Sequence, residues 1–377
     1  MALPSVLRGV TFRTRPPNAE QAPANGVPVS APVHVPALDG LRAVALLLVV
    51  LFHARIPGFS NGDLGVDVFF VLSGFLITGI LLRSADRGRV SFLDFYRRRA
   101  LRLLPAYLTV LVVCVVTDLV HNSGGTLKGA ATSFFYVSNW AAAAGVGTGL
   151  LAHTWSLSIE EQFYLLWPLV LVTVLVRARG DLVRVARVVV ALGLASYLTI
   201  VACYLLGASV ELAWNATTSR AVELLAGCLL AVVLQRRRLA DEPVLKVGRG
   251  ATGPVALVAL VALVLVSSHD PSNPWVEMLV QWPLVVALTV LLILAAVAGP
   301  NLTARLLAVR PLVVIGKVSY GAYLWHFPVF VVVDSTLGLG TWPPRLLGIA
   351  VTAVIVPLSY RFVEQPFLRL KDRARRS

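Results

Sequence analysis

The fold is decided by residues 38–53, LDGLRAVALLLVVLFH, an apolar stretch that carries three ionisable side chains. An α-helix turns about 100° per residue, so Asp39, Arg42 and His53 share one face of this helix. At about 1.5 Å per residue, Arg42 and His53 stand roughly 16 Å apart, one near each boundary of a membrane's apolar slab. Ionisable groups in a membrane span usually face the bundle interior and mark a path or a reaction centre. The alternative is that Arg42 only extends to the interface and His53 makes a packing hydrogen bond.

The composition is that of a polytopic membrane protein. Of 377 residues, 57% are hydrophobic and only 14% are charged, and apolar runs of span length recur to the C-terminus. We therefore predict an all-α polytopic membrane protein, a bundle of about ten transmembrane helices in a cell membrane. The predicted spans are 38–57, 64–82, 103–120, 154–176, 186–206, 218–235, 252–267, 278–298, 312–333 and 344–363.

The cationic residues predict the orientation of the bundle. If both termini are cytoplasmic, nearly all of the 33 Lys and Arg residues lie on the inner side, as the positive-inside rule requires. The net charge of +14 then reflects topology and attraction to anionic lipid, so no nucleic-acid partner is needed to explain it. The exceptions on the outer side are Arg55, Lys128, Arg220 and Arg345.

Domain boundaries follow from composition. Residues 1–36 are rich in Pro and Ala and have no apolar core long enough for a secretory signal, so we expect a disordered cytoplasmic tail. Residues 37–370 are the predicted membrane domain, and 371–377 a basic cytoplasmic tail. Residues 126–152 are only half apolar. Counting them as a span would place the basic loop 177–187 outside, so we interpret them as an outer re-entrant or surface segment.

Ionisable residues of different spans fall at similar depths. His53 lies about one turn below the outer end of the first span, and Asp67 about one turn below the outer start of the second. Glu160 and His326 lie in the outer halves of the fourth and ninth spans. We therefore expect these four side chains to converge on a polar cavity in the outer half of the bundle, with Asp67 able to pair with His53.

The fourth span contains two adjacent carboxylates, Glu160 and Glu161, that point about 100° apart. Glu160 shares its face with polar and aromatic residues, so we expect it to face the cavity. Glu161 shares its face with apolar residues. In the sixth span, Arg220 and Glu223 lie three residues apart and are expected to neutralise each other. The residues that share a helix face with Glu160 are Ser156, Tyr164 and Trp167. Those that share a helix face with Glu161 are Leu157, Leu165 and Pro168.

Arginines precede the third span in the stretch FYRRRALR, residues 95–102. Guanidinium groups bind phosphates through two parallel hydrogen bonds, which makes this stretch a candidate phosphate site. The alternative is that these arginines only satisfy the positive-inside rule.

Cys114, Cys203 and Cys228 lie in predicted spans without metal-ligand spacing, so we expect free thiols and no metal site.

The chain resembles the acyltransferase 3 family of integral membrane O-acyltransferases along nearly all of residues 38–370. Each motif is short, and their order and positions together make the resemblance specific. The motifs are LDGLR with His53 (38–53), GVDVFFVLSGFLIT (65–78), FYRRRALRLLP (95–105), HTWSLSIEEQFYLLWP (153–168), GKVSYGAYLWH (316–326) and YRFVEQP (360–366).

The resemblance implies transfer of an acyl group, commonly acetyl, from cytoplasmic acyl-coenzyme A to a hydroxyl of a carbohydrate or glycosylated acceptor. Bilayer, acyl-CoA and acceptor are then the partners, and no metal is required. The family's functional arginines and histidine map to Arg42, His53, Arg99 and Arg102, and we assign acyl-CoA binding to the three arginines. Its glutamate and its Ser-Tyr pair map to Glu160, Ser319 and Tyr320.

The expected mechanism uses His53 as the general base that takes the proton of the acceptor hydroxyl. Asp67 or Glu160 would orient the imidazole, which makes both candidate catalytic residues. An acyl-histidine intermediate is an equally valid route. We expect the acceptor or the developing oxyanion to contact Trp155, Ser319, Tyr320 and His326.

Two interpretations compete with these. A proton-coupled secondary transporter of a small polar solute would also use intramembrane His, Asp and Glu, although the chain shows no duplicated half. His34 and Asp39 have a His-x-x-x-x-Asp spacing that occurs in soluble acyltransferases, and we interpret it as coincidence. The identity of the acceptor and the oligomeric state stay open at this point.

Overall fold

The computed structural model describes residues 10–11, 34–121, 125–242 and 249–373, and these residues are mostly helical. Two short strands, β1 (Val10–Thr11) and β2 (Arg89–Val90), pair antiparallel. Single turns of 3₁₀-helix occupy Gly62–Leu64 and Gly149–Leu151, and π-helical segments occupy Glu277–Gln281 and Tyr360–Glu364. The α-helices are α1 (Pro36–His53), α2 (Gly65–Asp86), α3 (Phe92–His121), α4 (Thr126–Phe134), α5 (Ser138–Ala143), α6 (Thr154–Arg177), α7 (Leu182–Leu205), α8 (Val210–Asn215), α9 (Thr217–Leu239), α10 (Arg249–Ser267), α11 (Pro274–Val276), α12 (Trp282–Val297), α13 (Leu302–Leu307), α14 (Arg310–Lys317), α15 (Ser319–Leu337), α16 (Trp342–Ser359) and α17 (Gln365–Arg373).

Eight helical stretches of the described residues are long and apolar enough to span a membrane, which confirms the all-α membrane class. They correspond to eight of the ten predicted spans. The seventh predicted span is a shorter apolar helix over Thr252–Ser267. The ninth is divided into α14 and α15 between Lys317 and Ser319. The count of ten spans and the cytoplasmic placement of both termini remain predictions.

Residues 125–153, the described part of the segment between α3 and α6, contain no helix of span length. They fold into α4, α5 and a 3₁₀ turn, in agreement with the interpretation of residues 126–152 as something other than a span. Most of the predicted tail 1–36, and residues 374–377 of the other tail, lie outside the described residues. The strand Val10–Thr11 is the part of the first tail that contacts the loop between α2 and α3.

Helices α2 and α9 pack closely, because glycines let the two backbones meet. A Cβ atom on Gly74 would lie 1.8 Å from the carbonyl oxygen of Leu224, and one on Gly227 would lie 2.0 Å from that of Val71. Small residues allow this close approach in membrane proteins, where helix association depends on packing and polar contacts. The pair fixes the position of α2, which forms one wall of the cavity described below.

Buried charges join the same two helices. Arg220 of α9 is 1% exposed and forms ion pairs with Asp67 of α2 at 3.0 Å and with Glu223 at 3.1 Å. The predicted Arg220–Glu223 pair is therefore confirmed, and Asp67 is an additional partner that the helix spacing could not indicate. The guanidinium also lies 3.7 Å from the ring centre of Trp282, a favourable cation–π geometry.

Gly74→Ala is expected to destabilise the bundle, because the new methyl group would collide with backbone that cannot move independently. Overpacking of this kind costs about 1–3 kcal/mol or more. Thermal unfolding in detergent measures it. Gly79→Ala is the matched control, since its nearest neighbour is the flexible end of Arg83 at 3.1 Å. Equal melting temperatures for the two variants would contradict the close α2–α9 contact.

Arg220→Gln is expected to lower the free energy of unfolding by about 3–5 kcal/mol, since it leaves two buried carboxyl groups without their cation. The control is Arg184→Gln, which breaks an Arg184–Asp181 pair whose side chains are 65% and 43% exposed. Such a surface pair is worth about 0–1 kcal/mol. A similar loss in both variants, measured by thermal melting, would show that the buried cluster does not hold α2 to α9.

Candidate functional site

An open pocket lies between α1, α2, α6 and α15, with about 510 Å³ of empty space that includes open solvent. Its walls combine apolar side chains of α2 with polar groups from all four helices, the composition of a small-molecule site. One wall is formed by Ser319, Tyr320 and Tyr323 of α15. Ser319 and Tyr323 are four residues apart and therefore share a helix face. The polar lining residues are Arg42, Ser73, Ser156, Glu160, Ser319, Tyr320 and Tyr323.

Arg42 and Ser319 form one end of this cavity. The Nε–H of Arg42 donates to Oγ of Ser319 at 3.2 Å, and Ser319 is fully buried. Ser319 begins α15 at the break after α14, and α14 packs along α1. The break therefore brings a serine hydroxyl to the first-helix arginine, and both groups remain able to donate a hydrogen bond to a ligand in the cavity.

Glu160 faces the cavity, as its helix face predicts. It accepts hydrogen bonds from the hydroxyls of Ser73 at 2.5 Å and Tyr164 at 3.3 Å. Glu161, which shares its helix face with apolar residues, has a charged partner on another helix. Arg99 of α3 donates hydrogen bonds from Nε and Nη2 to the Glu161 carboxylate, at 3.1 and 2.6 Å. The Arg99 guanidinium carbon lies 3.2 Å from the Tyr164 ring centre. The residues of one helix do not reveal which helix it packs against.

Arg102 stands one turn after Arg99 on the same side of α3, with an exposed side chain. It lies within electrostatic range of Arg42 and Asp39. Within the described part of the chain no hydrogen bond or ion pair engages Arg102, so its guanidinium fork is available to an anion. The two predicted phosphate-binding arginines therefore differ, because Arg99 already holds a carboxylate and Arg102 does not.

His53 sits at the C-terminal end of α1, where its Nδ1 contacts the carbonyl oxygen of Val49 at 2.9 Å. A carbonyl oxygen only accepts, so Nδ1 carries the hydrogen and the lone pair of the neutral ring is on Nε2. That is the tautomer a general base needs. The backbone fixes this tautomer, whereas we predicted that Asp67 or Glu160 would do so.

The expected Asp67–His53 pair is wrong, and so is the convergence of four ionisable groups on one cavity. Asp67 is held by Arg220, and neither Asp67 nor Glu160 is among the described residues that contact His53. Among the four, Glu160 is the one that lines the cavity. Similar depth in two helices does not determine the direction in which their side chains point.

Three histidines gather beside the cavity instead. The His326 ring centre lies 5.0 Å from that of His53 and 5.8 Å from that of His153. Tyr323, which lines the cavity, lies 5.3 Å from His326 and hydrogen-bonds to Ser156 at 2.6 Å. The sequence reasoning quoted His153 only as part of a motif. Its position immediately before the fourth span was the signal that could have singled it out.

The remaining predicted site residues have structural partners. The hydroxyl of Tyr320 donates to the carbonyl oxygen of Leu103 at 3.1 Å, and Tyr320 still lines the cavity. Trp155 packs edge-on against Phe70 and lies 5.3 Å below the guanidinium of Arg220. Trp155 therefore contacts the buried ion cluster, and it is not among the residues that line the cavity.

The His34–Asp39 spacing, which we interpreted as coincidence, is a real contact. Nε2 of His34 lies 2.6 Å from Oδ2 of Asp39 at the beginning of α1.

The cysteines are free thiols, with Cys114 and Cys228 buried and Cys203 half-buried. Within the described residues, no group of three or more His, Cys, Asp and Glu side chains is arranged to hold a metal ion.

Comparison with known proteins gives relatives along most of the chain. YrhL of Bacillus subtilis is 37% identical over 357 residues, which cover 88% of this chain and 55% of YrhL. The peptidoglycan O-acetyltransferase OatA of Listeria monocytogenes is 34% identical over 355 residues, covering 88% and 56%. The O-acetyltransferase OatA of Staphylococcus aureus is 33% identical over 355 residues, covering 89% and 57%.

The chain spans little more than half the length of these relatives. No solved structure gives a significant match. The family model described as an acyltransferase domain matches residues 35–363, which include every motif quoted above apart from the last residues of YRFVEQP. The protein therefore belongs to the acyltransferase 3 family of integral membrane O-acyltransferases.

Proposed function

We propose that this protein is a bacterial cell-membrane O-acetyltransferase that transfers an acetyl group from acetyl-coenzyme A to a hydroxyl of a cell-wall carbohydrate, with peptidoglycan the first acceptor to test. Family membership and the names of the Listeria and Staphylococcus relatives support the reaction class. One observation carries the proposal: a cavity with Arg42 in one wall and Tyr323, the neighbour of the histidines, in another. Under this proposal, the cavity would connect the arginines of the donor site with the histidines.

The donor would bind from the side of α3. Arg102 is free to take a phosphate group of coenzyme A, and Arg42 lies within electrostatic range of it. Arg99 would contribute only if a phosphate displaced Glu161 or bound beside it, because its Nε and Nη2 already hold that carboxylate. The Arg99–Glu161 pair then keeps the guanidinium in place before the donor arrives.

Within the cavity, Arg42 and Ser319 would hydrogen-bond to the pantetheine arm of the donor, about three helical turns from His53, and the acetyl thioester would lie at the end of the cavity nearest Tyr323. His53 takes the acceptor hydroxyl's proton at Nε2 while the hydroxyl oxygen bonds to the acetyl carbon. The carbon–sulfur bond then breaks, and the thiolate sulfur receives a proton to give free coenzyme A thiol. Glu160, whose carboxylate faces the cavity, accepts a hydrogen bond from a neighbouring hydroxyl of the acceptor.

His53→Gln tests the proposed base. The amide can still hydrogen-bond but cannot take a proton, so turnover should fall about 10²- to 10⁴-fold. Purified protein in lipid nanodiscs is supplied with labelled acetyl-coenzyme A and peptidoglycan fragments, and acceptor-bound label is counted. His269→Gln, at an exposed position, is the control. A His53 variant that retained more than about a tenth of wild-type turnover would exclude general-base catalysis by this residue.

Arg102→Ala should raise KM for acetyl-coenzyme A about ten- to hundredfold and leave KM for the acceptor nearly unchanged, since it removes a hydrogen-bonded charge from the donor alone. Arg102→Lys should restore binding only in part, because lysine lacks the planar fork. Arg98→Ala removes the same charge from an exposed position nearby on α3. Equal KM changes in the Arg98 and Arg102 variants would refute a specific phosphate contact.

A further inference from the structure

Two imidazoles next to His53 are buried with ring nitrogens that have no hydrogen-bond partner among the described residues. His326 is 0% exposed, and its Nε2 is unpartnered. His153 is 4% exposed, and both of its ring nitrogens are unpartnered. A buried polar atom without a partner costs about 1–3 kcal/mol, and native proteins keep few of them. Three such atoms beside one candidate base indicate that a small ligand binds there.

The donors and acceptors around this point can be counted. His326 contacts the carbonyl oxygen of Tyr323 through Nδ1 at 2.6 Å, so its lone pair is on Nε2, as it is in His53. Desolvation, with a smaller contribution from His53, lowers the pKa of His153 to about 3, so His153 is neutral near pH 7. His153 therefore adds one N–H and one further lone pair.

A water molecule serves all of these groups except the lone pair of His153. Its two hydrogens can serve the Nε2 lone pairs of His53 and His326, and its oxygen can accept from the N–H of His153. A substrate hydroxyl has a single hydrogen and would leave one of the two Nε2 atoms unserved. The ring centres of His53 and His153 lie 5.0 and 5.8 Å from that of His326, so the three imidazoles are close enough together to share one small ligand.

The surroundings of the three rings keep them together. Phe327 packs against all of them, stacked on His153 at 4.9 Å and edge-on to His53 at 5.1 Å. Two residues after His53, Arg55 forms a double hydrogen bond with Asp334 of α15, at 2.7 and 3.2 Å. The end of α1 is thereby fastened to the helix that carries His326. Tyr323 also packs against the trio, with its ring centre 5.3 Å from that of His326 and 5.7 Å from that of His153.

We propose that His53, His326 and His153 bind one water molecule and that this water-bridged trio, which rests on the proposed acetyl transfer, is a proton relay for the reaction. The acceptor hydroxyl donates to the second lone pair of the water oxygen, and the water connects it to Nε2 of His53. His326 and His153 are positioning residues that act through the water. The same water orients the His53 imidazole and lets positive charge spread from His53 to His326.

The proton path balances without any further reactant. When the acceptor oxygen bonds to the acetyl carbon, its proton moves to the free lone pair of the water oxygen, and the water passes one of its own hydrogens to Nε2 of His53. As the carbon–sulfur bond breaks, the steps reverse: the thiolate takes a proton from the water, and the water recovers a hydrogen from His53. No proton is gained or lost by the protein over the cycle.

The water site is tested without any acetyl transfer, by nuclear magnetic resonance of protein with ¹⁵N-labelled histidine in nanodiscs. Magnetisation transferred from water should reach the rings of His53, His153 and His326, with Nδ1 protonated in His53 and His326. His326→Gln should shift the Nε2 signal of His53, and the control His269→Gln should leave it in place. Absence of water transfer to the two buried rings of the wild-type protein would overturn the site.

The relay is tested by kinetics. His326→Gln and His153→Gln keep hydrogen-bonding groups but cannot carry a proton, so kcat should fall about ten- to hundredfold, the loss expected for one hydrogen bond to a charged group. KM for acetyl-coenzyme A should not change. In mixtures of H₂O and D₂O, the wild-type rate should curve with deuterium content and the variant rates should not.

Each outcome separates the two proposals. If His53→Gln is inactive and the His326 and His153 variants keep wild-type kcat, the relay is refuted and the acetyltransferase stands. If labelled acetyl reaches no carbohydrate acceptor with the wild-type protein, the proposed function and the relay both fail, while the resonance experiment still decides the water site.

Discussion

A charge cannot remain unpaired inside an apolar slab, and this constraint organises the bundle. Arg220 of α9 satisfies this constraint through ion pairs with Asp67 of α2 and with Glu223 of its own helix. All three side chains are almost fully buried. The glycine contact between α2 and α9 allows the approach that these ion pairs need. With α2 fixed, Ser73 is presented to Glu160, and one wall of the cavity is set.

The histidines obey the same constraint by a different route. His53 and His326 are each oriented by a backbone carbonyl, which accepts a hydrogen bond without bringing a negative charge into the interior. A carboxylate partner would stabilise the imidazolium, but it would also have to be buried with it. The backbone solution leaves Nε2 of both rings facing away from their own helices, where a substrate hydroxyl or a shared water can reach it.

Arg99 and Arg102 belong to one motif of α3 but have different environments. Arg99 is satisfied inside the protein by Glu161 and Tyr164, whereas Arg102 keeps an exposed fork. Under the proposed function, the first would hold the local structure while the second meets the donor. A phosphate that displaced Glu161 would need to match a bidentate carboxylate contact, which makes Arg99 selective for strongly anionic donors.

The sequence by itself determined the membrane class, eight of the spans, the family and the inward face of Glu160, because hydrophobic length, helical period and ordered motifs are local properties. Only the tertiary structure decided that Asp67 belongs to Arg220, that Glu161 binds Arg99, and that His153 joins His53 and His326. The reason is geometric. Sequence spacing gives the depth and the relative angle of residues on one helix, but helix packing sets which helix each face meets.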